Sequence, residues 1–235
     1  MSKSKPPSKK HWPRGVGILH EDRDLLVVEK PPGLLTVGTD RIREETLYYK
    51  LTDYVRKGNP KSRERVFIVH RLDREASGIL VFARSETVKA ALQDQWEDVQ
   101  KGYLAIVHGR MTPKAGTISS HLAENSAHRV YVTQDAKEGK LSHTRYRVLV
   151  ERNRFSLLEV DLLTGRKHQI RVHLAQAGHP IVGDRKYGRV DKVHRRLALH
   201  AKSLAFNHPS NGARLAFETK TPKYFSELTG PVGAR

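Results

Sequence analysis

The feature that most restricts this chain is a succession of short apolar runs, each closed by turn residues, that resists any regular alternation with helices. Leu25 to Lys30 (LLVVEK) and Ile79 to Ala83 are near-continuous apolar runs, as strands buried on both faces would be. Further strand-like runs follow at Tyr103–Val107, Thr117–Leu122, Arg129–Thr133, Ser142–Glu151, Phe155–Leu162, Leu197–Phe206 and Arg214–Glu218. Ile18–Glu21 and Val66–Val69 complete the set, the latter expected to be buried. Helical spacing is confined to three places. Thr46–Lys57 puts Leu47, Leu51, Tyr54 and Val55 on one face, and Gly58-Asn59-Pro60 stops it. Ser85 would cap a helix carrying Val88, Ala91, Leu92, Trp96 and Val99. The third runs from about Lys167 to Ala177, with Gly178 and Pro180 beyond it. Strands that outnumber helices in this irregular order point to an α+β fold with one large, mostly antiparallel sheet.

No repeat or Pro/Gly/Ser linker interrupts residues 15–230, so one catalytic domain over 15–235 is expected, preceded by a disordered basic arm over 1–14. That arm is rich in Lys, Pro and Ser and has no hydrophobic stretch, so it is not a secretory signal. It could touch RNA backbone or simply solubilise the chain.

Charge narrows the partner. With 43 Lys and Arg against 25 Asp and Glu, the 235-residue chain carries +18. A field of that sign attracts polyanions, and displacing condensed counterions gives affinity for any nucleic acid. A generically basic protein or a binder of acidic lipids would share it. The absence of cysteine excludes disulfide scaffolds, thiolate metal sites and cysteine nucleophiles, and suits the cytoplasm. No apolar run is long enough for a membrane span. Neither GxxxxGK[ST], GxGxxG nor GxSxG occurs, which argues against nucleotide cofactors and the usual hydrolase elbow.

Two polar clusters could carry chemistry. HRLDREASG (70–78) lies between two apolar strands, where a scaffold presents reactive groups. Asp73 there is a candidate nucleophile or base that Arg71 and Arg74 would keep ionised, or else a turn residue making salt bridges. GRKHQIRVH (165–173) places Arg166, Lys167 and Arg171 near a helix start, where the dipole disfavours cations. Something anionic should offset them. His168 and His173 are five residues apart, so they do not share a helix face as a zinc pair would, and no metal is expected.

At these clusters the chain resembles the RNA pseudouridine synthases, in their RluA branch. HRLDREASG is similar to the family's His-Arg-Leu-Asp quartet, with Ala76 where Thr is usual. LVVEKPPG (26–33), KGYLAIVHG (101–109), GRKHQIRVHLAQAGHPIVGDRKYG (165–188) and LALHAKSLAFNHP (197–209) resemble its other segments in order. The resemblance implies the pseudouridine synthase fold and a cofactor-free isomerisation of uridine in ribosomal or transfer RNA. Asp73 would be the nucleophile, attacking either the anomeric carbon or the base. Tyr103 would lie against the base and take the final proton, and Arg171 would pair with Asp73. Arg71 would fill the stack vacated by the flipped base. Arg74, Lys101, Arg166, Lys167 and His168 complete the expected RNA contacts. Asp184 reads as a structural turn residue rather than a second catalytic carboxylate. Many members carry an N-terminal ribosomal-protein-like RNA-binding module. About 15 residues precede the first strand here, so RNA selection is expected from the catalytic domain, acting as a monomer. The competing readings are an RNA-binding protein that keeps the fold without turnover, and a sugar-phosphate hydrolase, which would need a second carboxylate or metal ligands.

Overall fold

The computed structural model describes residues 11–38, 44–188 and 193–230. Its centre is an 11-stranded sheet. In chain order the strands are β1 Gly17–Glu21, β2 Leu25–Lys30, β3 Phe67–Ile68, β4 Ser77–Ala83, β5 Gln100–His108, β6 Ala115–Glu124, β7 Val130–Thr133, β8 Lys140–Arg152, β9 Phe155–Leu162, β10 Leu199–Asn207 and β11 Arg214–Glu218. The helices are α1 Leu47–Arg56, α2 Glu86–Asp94, α3 Gln169–Gln176 and α4 Lys223–Thr229. The spatial order is β1-β2-β4-β10-β5-β9-β8-β6-β7, with β3 on β4 and β11 on β10. Every pairing is antiparallel except β4 with β10. This is the expected α+β architecture.

The apolar run LLVVEK is explained by helices on both sides of the sheet. Leu26, Val28, Leu80 and Phe82 bury against Leu47 and Leu51 of α1. Their neighbours Leu25, Val27, Ile79 and Val81 bury against Val88 and Leu92 of α2. Each large apolar side chain so enclosed contributes about 1.5–3 kcal/mol. Both helices start where a hydroxyl satisfies an otherwise unpaired N–H: Thr46 accepts from Tyr49, and Ser85 from Val88.

The parallel contact between β4 and β10 places one end of the HRLD loop, and it depends on Gly78. There the backbone has φ +114°, and an added Cβ would lie 2.2 Å from the carbonyl oxygen of Ala201. No side chain fits that approach. Ser77 Oγ and His200 Nδ1, 2.9 Å apart, tie the same two strands.

Several expectations are corrected. The stretch 66–69 is a strand only at Phe67–Ile68, both half-buried, because β3 reaches just Phe82 and Ala83 of β4. The second helix ends at Asp94, so Trp96 and Val99 follow it in the turns leading to β5. The third begins at Gln169, because His168 takes a left-handed conformation, φ 53°. Helix α4 had no counterpart in the sequence reading. Residues 1–10 of the expected arm lie outside the described residues, whereas Trp12 near its end is packed, its indole donating to the Val16 carbonyl at 2.7 Å and meeting the Tyr54 ring.

Candidate active site

The HRLD loop joins β3 to β4 and is pinned on both sides of Asp73. Thr36 Oγ1 donates to the Leu72 carbonyl at 3.0 Å. The carbonyl of Arg74 accepts from the Gly33 N–H at 2.8 Å and from Lys30 Nζ at 3.0 Å. Lys30 is wholly buried and places its other two donor hydrogens on the Pro31 and Leu34 carbonyls. Burial brings its pKa down to about 8, opposed by Glu75 and Asp73. Upstream, His70 Nε2 accepts the Val81 N–H, and its ring lies tilted against Trp96 with the centroids 4.5 Å apart. Burial holds it neutral, with a pKa near 3. Asp73 is thus presented by a backbone with little freedom.

The second segment comes from β9 and α3. Buried Gln169 fastens it: its Oε1 accepts from Thr164 Oγ1 and the Arg166 N–H, while its Nε2 donates to the His143 carbonyl and Thr144. Arg171, two residues later, reaches two carboxylates. Its Nη1 donates to Asp73 Oδ2 at 2.8 Å, bridging 98 positions of sequence. Its Nε and Nη2 make a bidentate pair with Asp184, both at 2.8 Å. Burial opposes the guanidinium charge, but Asp184 and Asp73 outweigh it and raise the pKa of Arg171. The anionic offset expected for these cations is therefore Asp73 and Asp184, with Glu124 pairing Lys167.

Asp184 does serve as a turn residue, accepting the Lys186 and Tyr187 N–H groups on Oδ1. It is also the main anchor of Arg171, a role that its GD setting in the sequence did not signal. Burial would raise its pKa, but the Arg171 hydrogen bonds and charge, with those two N–H groups, bring it below the ordinary carboxylate value. Tyr187, likewise unremarked in the sequence, lies with its ring 5.2 Å from the Arg171 guanidinium and its hydroxyl 2.7 Å from His168 Nδ1.

Asp73 and Arg171 face a cleft of about 610 Å³, lined among others by Thr36, Trp96, Tyr103, Arg166 and His168. Its size suits a nucleoside-sized ligand. Tyr103, on β5 opposite the loop, has its phenol pKa raised by burial and by the charge of Asp73, so it is neutral at rest.

The structure brings Asp73, Arg171, His168 and Tyr103 together, and treats the other cations differently. Among the described residues the cation on Asp73 is Arg171, not Arg71 or Arg74. Arg74 Nε donates to the Gly33 carbonyl, tying the loop to the neighbouring turn. Lys101 is buried, its Nζ on the Trp96 carbonyl at 3.0 Å, so it braces the wall of the cleft instead of offering a free charge. Arg71 and Arg166 are exposed where they line the cleft. His173 is held between Ser120 and Thr144, away from His168. Among the described residues no group of three or more His, Cys, Asp or Glu is arranged to hold a metal, and no helix is long and apolar enough to cross a membrane.

A fold of this kind with an aspartate and an arginine meeting over a nucleoside-sized cleft defines a class, and the comparisons agree on it. The family model described as RNA pseudouridylate synthase matches residues 24–176, and the chain belongs to that family. Within it the relatives place the chain in the RluA branch of RNA uridine isomerases. An uncharacterized RNA pseudouridine synthase of Aquifex aeolicus is 35% identical over 227 residues, covering 91% of this chain and 72% of that one. Ribosomal large subunit pseudouridine synthase D of Zymomonas mobilis is 35% identical over 221 residues, covering 88% and 69%. Among solved structures, human RNA pseudouridylate synthase domain containing 4 superposes with a TM-score of 0.72 at 26% identity, covering 89% of this chain and 90% of that one.

Proposed function

We propose that this protein converts a uridine of ribosomal RNA to pseudouridine, with Asp73 as nucleophile and the base flipped into the cleft. The observation that carries this reading is the Asp73 carboxylate held at the cleft by Arg171. An aspartate that accepts a guanidinium hydrogen bond and faces a nucleoside-sized space is what a covalent route through a detached base requires.

The steps follow from these positions. The uridine leaves its stack, at a cost of a few kcal/mol, and Arg71 at the cleft occupies the vacated space. The carboxylate attacks the nucleoside, and the bond between C1′ and N1 breaks. The base turns, C5 bonds to C1′, the proton on C5 departs, N1 takes one up and Asp73 is released. Atoms and electrons balance without a redox partner. Tyr103 is a neutral phenol at rest and therefore a donor, not a base. Tyr103 lines the cleft beside Asp73, close enough to sense its charge, and this position fits it for the late proton transfer.

The excess of 18 positive charges supplies RNA affinity. Exposed Arg166 and Lys167, with residues 1–14, extend the contact beyond the cleft of a catalytic domain over 15–235. Ribosomal RNA is favoured over transfer RNA because several relatives are named for it. The cysteine-free chain suits work in the reducing cytoplasm, where we take it to act as a monomer.

The test is a map of pseudouridine in total RNA from cells with and without this gene. At least one ribosomal position should lose its pseudouridine in the deletion and regain it with the restored gene. Identical maps would reduce the protein to an RNA binder.

A further inference from the structure

The two oxygens of Asp73 sit in different surroundings. Oδ2 accepts the 2.8 Å hydrogen bond from Arg171, and among the described residues Oδ1 accepts none. What faces Oδ1 is His168 Nε2, 3.7 Å away, on a ring that is only 13% exposed. We infer that Oδ1 is the attacking oxygen and that His168, fixed in one tautomer by Tyr187, is a positioning residue that steers it. This inference rests on the reading of Asp73 as nucleophile.

The tautomer follows from counting donors around Tyr187. Its hydroxyl oxygen accepts the Val130 N–H at 3.1 Å and lies 2.7 Å from His168 Nδ1. With its lone pair turned to Val130, the phenol keeps its own hydrogen to donate, and among the described residues Nδ1 is the acceptor within reach. Were Nδ1 protonated, the phenol would have to turn its hydrogen from Nδ1 to solvent in a half-buried site, a poorer arrangement. Nδ1 is therefore bare and the ring hydrogen sits on Nε2, directed at Asp73. The ring is delivered there by the left-handed backbone of His168, φ 53°, an uncommon state for a residue other than glycine. At 3.7 Å the N–H is too far for a hydrogen bond, yet it lies closest to the free oxygen. It attracts Oδ1 without occupying a lone pair, and this fixes the carboxylate's rotation between Arg171 and His168.

His168 also remains neutral, as the scheme needs. The groups facing it are Asp73 from the HRLD loop, Arg171 on α3, Lys167 before that helix, and Lys186 and Tyr187 after it. Burial lowers its pKa, Asp73 opposes this, and the three cations add to the lowering, so the net shift is downward. A protonated His168 would instead grip Oδ1 as an ion pair and blunt it.

The experiment is single-turnover pseudouridine formation on the mapped RNA, followed from pH 5.5 to 9, with RNA affinity measured separately. His168→Asn tolerates the left-handed backbone, but its amide ends near the Nδ1 position and cannot reach Asp73. It should slow the chemical step by about 10- to 100-fold at saturating RNA, the scale of a misplaced reacting group, so that any lost RNA contact of His168 does not enter. His168→Gln returns an N–H to the Nε2 position and should recover most of the loss. Tyr187→Phe keeps the ring on Arg171 but frees Nδ1 to bind a proton, so the acid limb of the rate profile should move to higher pH. Wild-type rates in His168→Asn, equal losses in the Asn and Gln variants, or an unmoved acid limb in Tyr187→Phe would each overturn the inference. Asp73→Asn, run alongside, separates the two readings. If it is inert, the nucleophile stands whatever His168 does; if it is active, the underlying reading fails as well.

Discussion

Asp184→Asn is the substitution from which the site's electrostatics can be read most directly. The Asp184 side chain is wholly buried and accepts four hydrogen bonds, from Arg171 Nε and Nη2 and from the N–H groups of Lys186 and Tyr187. Asparagine has the same shape but one acceptor oxygen. Oriented to keep the two backbone bonds and Nη2 on that oxygen, its amide nitrogen faces the Nε hydrogen of Arg171, donor against donor. One charge-assisted hydrogen bond is lost, and the guanidinium retains only Asp73 as counter-charge. The expected cost is about 3 kcal/mol, between that of a lost bond to a charged group and that of a broken buried pair. For a chain of this length the melting temperature should fall by about 6–12 °C. The folded pKa of Asp184 is lowered, so its contribution is fully present above the unfolded value of 3.8 and is lost as pH falls through the folded value. Urea unfolding of wild type and variant should therefore show a constant gap between pH 7 and 5 that closes in stronger acid. Pseudouridine formation should slow roughly 10- to 100-fold, since Arg171 no longer aims Asp73 from a fixed base. Equal midpoints at pH 7, or a gap that persists undiminished at pH 3, would refute this account of the Arg171 anchor.

Other expectations follow from the same geometry. Arg171→Lys keeps the charge without the planar fork, so its rate should fall between those of wild type and Arg171→Ala, and Asp73→Asn/Arg171→Ala should be little worse than Asp73→Asn alone. RNA affinity measured by filter binding should drop steeply with salt; six phosphate contacts correspond to a log–log slope of about −4 to −5, and a flat dependence would contradict the electrostatic account. Lys30, with a folded pKa near 8 against 10.5 when exposed, carries a burial cost that is full below pH 8 and relieved as pH rises toward 10.5. Wild type should gain stability relative to Lys30→Met between pH 7.5 and 9.5 in urea titrations, and an unchanged difference would refute the assignment.

Much of the sheet was legible because its physics is local. The runs at 25–30, 155–162 and 214–218 coincide with β2, β9 and β11, and the hydroxyls of Thr46 and Ser85 mark their helix starts. The misreadings arose where neighbours overrule local pattern. Trp96 and Val99 keep the helical spacing of α2, but the chain has already turned, and the Trp96 ring is spent on His70. β3 is short because the Val81 N–H of β4, next along from its two paired residues, is taken by the His70 side chain. Helix α4 has seven residues and begins after Pro222 with no side-chain cap, so it lacked the length and the start signal that betray the others. The site divides in the same way. Asp73 and Arg171 could be named from motifs that resemble a known family, although 98 positions separate them. The second anchor at Asp184, the grip of Tyr187 on His168, the tie of Arg74 to Gly33 and the burial of Lys101 depend on which partner each side chain meets. Spacing along the chain carries no trace of that.

The central claim is that Asp73 makes and breaks the bond to the nucleoside. Its most direct test is single-turnover pseudouridine formation by Asp73→Asn on an RNA carrying the mapped uridine, with binding measured on the same preparation. The substitution removes the nucleophile and the charge while keeping the shape of the side chain. The account requires RNA binding close to that of wild type and no detectable product. Product at a rate near wild type would contradict it.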